Sequence, residues 1–270
     1  MNNFNKSYIS PDLQVGGSTK IIPLSEGTFT VDKTKIFNPF DLSKDDLQQR
    51  SVGSLLVEVQ PFAIVTSKDI LLIDTGLGFS KQGELQIHAN LKENGIQPEQ
   101  ITKVLMSHLH KDHAGGVSKR DYIGNYQLAF PNATYYVQKK EFDYAMETGY
   151  PVYMTDEIAL LHQHPQVQWL DGDGFIDGYI SYHITAGHSP FHQVFHIEDQ
   201  GQHLFFGGDD APQLHQMKSK FVAKYDYDGK KCMLLRQQWW QQGKKEGWTF
   251  LFYHDSKTPT FKQTTELNLV

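Results

Sequence analysis

Short runs of Val, Ile and Leu, each breaking off at a small polar loop, set the pattern of this chain. Residues 54–66 and 70–73 are such runs, and the turn signal Ser67-Lys68-Asp69 between them predicts a hairpin. The second run stops at Asp74-Thr75-Gly76-Leu77-Gly78. Residues 85–94 carry apolar positions at helical spacing (Leu85, Ala89, Leu91), and Gly95 suits the residue that follows a helix. Residues 101–106 read as a short buried strand running straight into Ser107-His108. Strand, helix, strand in that order is a βαβ-like unit and predicts an α/β chain.

Further strands are predicted over 133–137, 180–185, 194–197, 204–206 and 249–253, with helices over 139–147 and 232–242. Residues 13–31 alternate loosely, as one or two edge strands would, and 257–270 read as a polar tail or an edge strand. Residues 149–165 read as irregular and aromatic. Several strands end in a short loop that carries His or Asp. Sites in open sheets lie at strand C-terminal ends, where loops vary on a rigid scaffold.

Composition narrows the picture. With 39% hydrophobic and 13% aromatic residues the chain can bury a sizeable core, so one domain is expected over 1–270, its core at about 50–256. A net charge of −6 without a basic run argues against nucleic acid and anionic membranes as partners. The single cysteine, Cys232, excludes an internal disulfide and a cysteine-built metal site. Residues 1–10 lack the apolar stretch of a signal peptide, and no apolar run approaches the roughly 18 residues of a membrane helix. These features predict a cytoplasmic protein, monomer or homodimer, acting on a small molecule.

The candidate chemistry lies in the 13 histidines, and position decides which of them matter. His108-Leu109-His110-Lys111-Asp112-His113 places four potential metal ligands directly after a strand. A spacing of two sends His108 and His110 the same way on extended backbone, while Asp112 and His113 can face a second point nearby. Such a cluster addresses two adjacent metals more naturally than one. A hydrolytic site also needs an open position for water and, with two metals, a bridging group. His188 in Gly187-His188-Ser189, Asp209 after Gly207-Gly208, and His254 supply candidates, each where a predicted strand stops. A solvated polar loop at 108–113 would make the other three elements coincidence.

Taken together, His108-x-His110-x-Asp112-His113, Gly187-His188-Ser189, Gly208-Asp209 and His254 resemble the metallo-β-lactamase superfamily, and Asp74-Thr75-Gly76 fits it too. The resemblance covers roughly 55–255. It implies a four-layer αβ/βα sandwich with two divalent metals at one edge, zinc being expected and manganese, iron or cobalt the alternatives. It implies His108, His110 and His188 as ligands of the first metal, Asp112, His113 and His254 as ligands of the second, and Asp209, rather than Asp210, as the bridge. Asp112 would also orient a metal-bridging hydroxide. Asp74 is implied as a partner that holds a ligand histidine, a common need of metal-bound imidazoles. His192 reads as a structural or supporting residue and His215 as a candidate for the pocket. His88, His162, His164, His183, His196 and His203 read as surface or strand residues, and Lys111 as solvated.

Within the superfamily, residues 95–104, 129–133 and 215–247, including Tyr225-Asp226, look like the branch of acyl-homoserine lactonases and methyl parathion hydrolases. The implied reaction is hydrolysis of lactones, esters or phosphotriesters. One departure stands out: lactonases of one well-known type carry a tyrosine three residues after the bridging aspartate, and here that position is Pro212. Its role would pass to His215 or to a tyrosine of the lid. Phe142, Tyr144, Tyr150 and Tyr153 are candidates for an apolar pocket wall. The rival readings are a thioesterase, an iron-dependent sulfur oxygenase, or a non-catalytic binding protein on the same scaffold. The complete ligand set favours the two-metal hydrolase.

Overall fold

The computed structural model describes residues 18–263; the expectations for 1–10, 13–17 and 264–270 lie outside the described residues. The first part of the chain supplies strands β1 (Lys20–Pro23), β2 (Gly27–Val31), β3 (Phe37–Pro39), β4 (Leu55–Val59), β5 (Phe62–Val65), β6 (Ile70–Ile73), β7 (Lys103–Leu105), β8 (Thr134–Gln138) and β9 (Val167–Leu170). The remainder supplies β10 (Gly174–Ile176), β11 (Ile180–Ile184), β12 (Gln193–Asp199), β13 (Gln202–Phe206), β14 (Thr249–Leu251) and β15 (Thr260–Lys262). One six-stranded sheet has the order β1-β5-β6-β7-β8-β9, a second runs β10 to β15 in sequence, and a three-stranded sheet has the order β3-β2-β4.

Side chains alternate across the pleat, and the packing follows. On β5, Phe62 and Ile64 point between the two large sheets, where they meet Leu71 and Ile73 of β6 and Phe195, Leu204 and Phe206 of the second sheet. Ala63 and Val65 point the other way, into a layer with Ile87 and Leu91 of helix α1 (Gln86–Glu93). After the short helix α2 (Lys111–Ala114), helix α3 (Lys139–Thr148) adds Phe142 and Ala145 to that layer. On the far side, Phe205 and Phe250 pack against Trp239 of helix α4 (Gly229–Glu246). The result is helix, sheet, sheet, helix: the αβ/βα sandwich. Each fully buried side chain of this size contributes about 1.5–3 kcal/mol relative to exposure.

The hairpin at Ser67-Lys68-Asp69 forms, closed by the Thr66 amide donating to the Asp69 carbonyl at 2.8 Å. Two boundaries differ from the reading of the sequence. Residues 54–66 are not one strand: Pro61 has no N–H to continue a ladder, and the run splits into β4 and β5, which belong to different sheets. The last helix starts earlier and ends later than 232–242. Asp228 caps it through the Lys231 amide at 2.9 Å, and the left-handed Gly247 ends it. Residues 149–165, read as irregular, hold a helical turn at Thr155–Ile158 and a 3-10 turn at Ala159–Gln163. Residues 13–31 do give edge strand β1, but β2 is the centre of the small sheet. No helix among the described residues is long and apolar enough to cross a membrane.

Candidate metal centre

The strands matter to the site through where they stop. β6 ends at Ile73 and delivers Asp74; β7 ends at Leu105 and delivers Ser107 to His113. β11, β13 and β14 end just before His188, Asp209 and His254. Close backbone approach draws the loops together. A Cβ on Gly78 would run into the Gly115 carbonyl, and one on Gly187 into the Asp210 carboxylate and Cys232. Only glycine admits these contacts.

Two donor groups result. His108, His110, His188 and Asp209 form one and Asp112, His113 and His254 the other; within each, the potential ligand atoms lie within 4.8 Å of one another. In the first, His110 Nδ1 is 2.9 Å from His108 Nε2 and 3.0 Å from His188 Nε2. In the second, Asp112 Oδ2 is 3.8 Å from His113 Nε2 and 3.6 Å from His254 Nε2. Asp209 joins them. Its Oδ2 faces His188 Nε2 at 3.2 Å, while Oδ1 faces His113 Nε2 at 3.1 Å and His254 Nε2 at 3.0 Å.

For four of the five histidines, hydrogen bonds on the far side of the ring fix which nitrogen faces inward. Asp74 accepts from the Ser107 amide and hydroxyl, both at 2.7 Å, so His108 Nδ1 donates to Ser107 Oγ at 3.0 Å. His113 Nδ1 donates to Asp74 (2.7 Å), His188 Nδ1 to Asp226 (2.9 Å) and His254 Nδ1 to the Glu58 carbonyl (2.6 Å). Each bond turns an Nε2 toward the centre. Asp74 does this from a left-handed backbone, φ 55°, a strained conformation for a non-glycine residue.

The charges fit cations. Burial, reinforced by neighbouring imidazoles, holds His108 and His110 well below the ordinary histidine range, so both are neutral. Burial alone would depress His113, His188 and His254 as well, but Asp209 leads the carboxylates that reverse the shift in all three. Burial likewise opposes ionisation of Asp209, and His254, His113 and His188 overcome it. His113 Nε2 and Asp209 Oδ1 are buried without a hydrogen-bond partner, a costly state that metal coordination relieves. Four donors at about 2.0–2.1 Å from one tetrahedral ion sit about 3.4 Å apart, close to the 2.9–3.2 Å spacings of the first group. The donor set therefore fits divalent metal.

Residues 57–216 match the sequence profile of the Metallo-beta-lactamase superfamily. The chain belongs to that superfamily. Among curated relatives, it is 30% identical over 118 residues to the N-acyl homoserine lactonase AttM of Azorhizobium caulinodans, covering 40% of each chain. It is 32% identical over 169 residues to the N-acyl homoserine lactonase AiiA of Bacillus thuringiensis subsp. kurstaki, covering 55% of this chain and 62% of the relative. The matches thus span less than two thirds of these relatives' length. The solved structure of AidC, a dizinc quorum-quenching lactonase in complex with a product, superposes with a TM-score of 0.67 at 18% identity, covering 93% of this chain and 92% of that one. Its likeness is one of fold.

The remaining candidates fall in different places. His192 supports the centre from behind: its Nε2 accepts from the Asp209 amide at 3.1 Å, and its Nδ1 lies 3.1 Å from Asp210. Asp210 turns away from the donor groups and accepts from the His188 amide at 2.7 Å. His215 lines an adjoining cleft with Phe221 and Tyr225. Of the six histidines read as surface or strand residues, His88 departs: it is buried on α1, its ring 5.3 Å from that of Phe130.

The cleft above the donors corrects two readings. None of Phe142, Tyr144, Tyr150 and Tyr153 lines it; Phe142 belongs to the helix-side core, and Tyr153 backs the His110 ring at 5.0 Å. The apolar wall is instead Val31, Phe37, Leu55 and Val57 of the three-stranded sheet, facing Pro212 and Tyr225. Lys111, read as solvated, is half-buried in the lining, beside Lys35. Reading the sequence also missed Asp226 and Glu141. Buried Glu141 takes the Leu109 amide at 3.0 Å and the Ser189 hydroxyl at 3.2 Å, tying the two histidine loops together. Tyr225-Asp226, next to the Asp228 cap, was the available signal for the first; Glu141 offered none.

Proposed function

We propose that the chain is a hydrolase that holds two divalent cations, zinc by expectation, and cleaves lactones, esters or phosphotriesters in the manner of an N-acyl-homoserine lactonase. The observation that supports this most directly is the Asp209 carboxylate, which turns one oxygen toward each donor group. His108, His110, His188 and Asp209 would hold one ion; Asp112, His113, His254 and Asp209 the other. Lactonase relatives and a dizinc lactonase of like fold favour the same reading.

A bound metal pair supplies Lewis acidity and lowers the pKa of water from 15.7 to about 7, so no separate strong base is needed. The chain's own residues do the rest. Asp74, Asp226, Ser107 and the Glu58 carbonyl keep the imidazole lone pairs aimed inward. Asp112, which lines the cleft, orients the attacking water. We assign the role of the tyrosine missing at Pro212 to Tyr225. It lines the cleft with its ring 6.1 Å from that of His188. Burial and the Asp209 and Asp226 carboxylates keep its hydroxyl protonated, hence able to donate to the oxygen that gains charge.

The experiment is a hydrolysis panel with metal analysis on the same preparation. An acyl-homoserine lactone series, an aryl phosphotriester, an aryl ester, a glutathione thioester and a cephalosporin are assayed side by side with metal supplied. The expected result is about two ions per chain, turnover of lactones or of activated esters and phosphotriesters, and at most trace cephalosporin cleavage. Inert lactones and phosphotriesters beside fast thioester or cephalosporin turnover would sink the substrate assignment, and a single ion under metal-replete conditions the dinuclear one.

A further inference from the structure

The cleft over the donor groups carries two lysines that the hydrolytic reaction does not use. Lys35 and Lys111 both line it, both half-buried, and among the described residues neither has a carboxylate within ion-pair distance. Elsewhere the half-buried Lys103 is paired twice, with Asp69 at 2.6 Å and Asp177 at 2.9 Å. Partly desolvated ammonium groups left unpaired are costly, and two that repel one another more so.

Local structure holds both where they are. Lys35 sits in a left-handed conformation, φ 59°, in the β2–β3 turn. That turn is closed by the Lys35 amide donating to the Asp32 carbonyl at 3.0 Å, and Asp32 Oδ1 accepts from the Thr34 amide at 2.9 Å. Lys111 opens α2 between His110 and Asp112, its Nζ 5.5 Å from the centre of the Phe37 ring. The ring contact steadies the ammonium but accepts none of its N–H bonds directly. On its other side Lys111 also lines a second cleft with Phe37 and Glu157, whose carboxyl burial pushes up to about 7, which weakens it as a standing counter-ion.

We propose that Lys35 and Lys111 form an anion subsite, so that the preferred substrate is an ester or lactone whose acyl portion is apolar in the middle and ends in a carboxylate or phosphate. This rests on the hydrolase reading of the same cleft. The apolar stretch lies along Val31, Leu55 and Val57, and the anionic end completes the lysine pair.

The test compares two esters of equal length, 4-nitrophenyl pentanoate and the mono-4-nitrophenyl ester of glutaric acid, on metal-loaded protein. We expect kcat/KM to favour the glutaryl ester by about tenfold, mostly through KM. We expect Lys35→Met to cut that ratio severalfold, Lys35→Glu to invert it, and a rise from about 20 mM to about 500 mM salt to shrink it. Using the ratio cancels general damage in a variant. A ratio near one, or one indifferent to Lys35 and Lys111→Met, overturns the subsite while leaving the hydrolase intact. If neither ester is cleaved, the hydrolysis panel decides the hydrolase reading and titration calorimetry decides the subsite. Glutarate binding tighter than pentanoate, with the preference lost in Lys35→Met, supports it; equal binding overturns it.

Discussion

The floor and the wall of the cleft are built on opposite principles. On the floor, His108, His113, His188, Asp209 and His254 are all buried, and each ring is held by a named partner behind it. On the wall, Val31, Val57 and Pro212 are buried, but Leu55, Lys35, Phe37 and Tyr225 are half-buried or exposed, and they come from the small sheet and the segment before α4. A buried centre with fixed tautomers can hold ions in one geometry; an open wall can change its side chains without disturbing that geometry. The contrast separates chemistry from selectivity, and it can be broken from either side.

The sharpest test lies within one turn of chain. Asp209 and Asp210 are adjacent and both buried, yet only Asp209 faces both donor groups. An amide carries no charge to offset two cations, so Asp209→Asn should lower kcat/KM by about a thousandfold or more, roughly 4 kcal/mol. It should also reduce bound metal by elemental analysis. Asp210→Asn keeps an oxygen to accept the His188 amide and should be mild by comparison. A severe Asp210→Asn beside a mild Asp209→Asn would place the bridge one residue away.

Next in size is the support behind the floor. Asp226 holds His188 Nδ1, and losing such a partner typically costs 10–100-fold in metal affinity or activity. Asp226→Ala is expected in the range of about 10–100-fold, with partial recovery in Asp226→Asn, whose amide oxygen still accepts from the ring. Metal titration followed by activity and by competition with a chelator reads both. Unchanged affinity in Asp226→Ala would mean that the ring is held by packing alone.

Why the floor was legible and the wall was not follows from where the residues lie. His108, His110, Asp112 and His113 are potential ligands in one short segment, and the other candidates each sit at the end of a predictable strand, so the pattern is local. The β5–β6 hairpin and the β6–α1–β7 unit follow from periodicity and turn chemistry for the same reason. The partition of residues 54–66 was hidden because both halves are apolar, and only Pro61 marks the exchange of sheets. β9 and β10 were missed because 167–176 intersperse Trp, Asp and Gly among few aliphatics. Asp226 meets His188, and Glu141 meets Leu109 and Ser189, only through the topology. The wall is more remote still: Leu55 and Val57 reach the cleft because β4 pairs with β2 in the small sheet.

On the wall itself, Tyr225 is expected to matter to rate more than to ground-state binding. Its hydroxyl is assigned to the oxygen that gains charge, so Tyr225→Phe should lower kcat by about tenfold with little change in KM. Metal content should stay at the level of the natural chain, which distinguishes this loss from that of Asp226→Ala. A rise in KM alone would reduce Tyr225 to a surface that substrates rest on.

The smallest effect should come from Leu55. Its side chain is 38% exposed and lines the cleft, so shortening it opens space without leaving a sealed cavity. At roughly 25 cal/mol per Å² of apolar contact, a few tens of Å² lost from a long acyl chain amount to about 1 kcal/mol. Leu55→Ala should therefore raise KM for an octanoyl ester by about threefold to fivefold and leave an acetyl ester, too short to reach the wall, nearly unchanged. Because Leu55 belongs to neither donor group, kcat and bound metal should hold. Equal losses on the long and short esters would show that the small sheet acts on the metal centre, through the bond from His254 to the Glu58 carbonyl, and the division between floor and wall would fail at that bond.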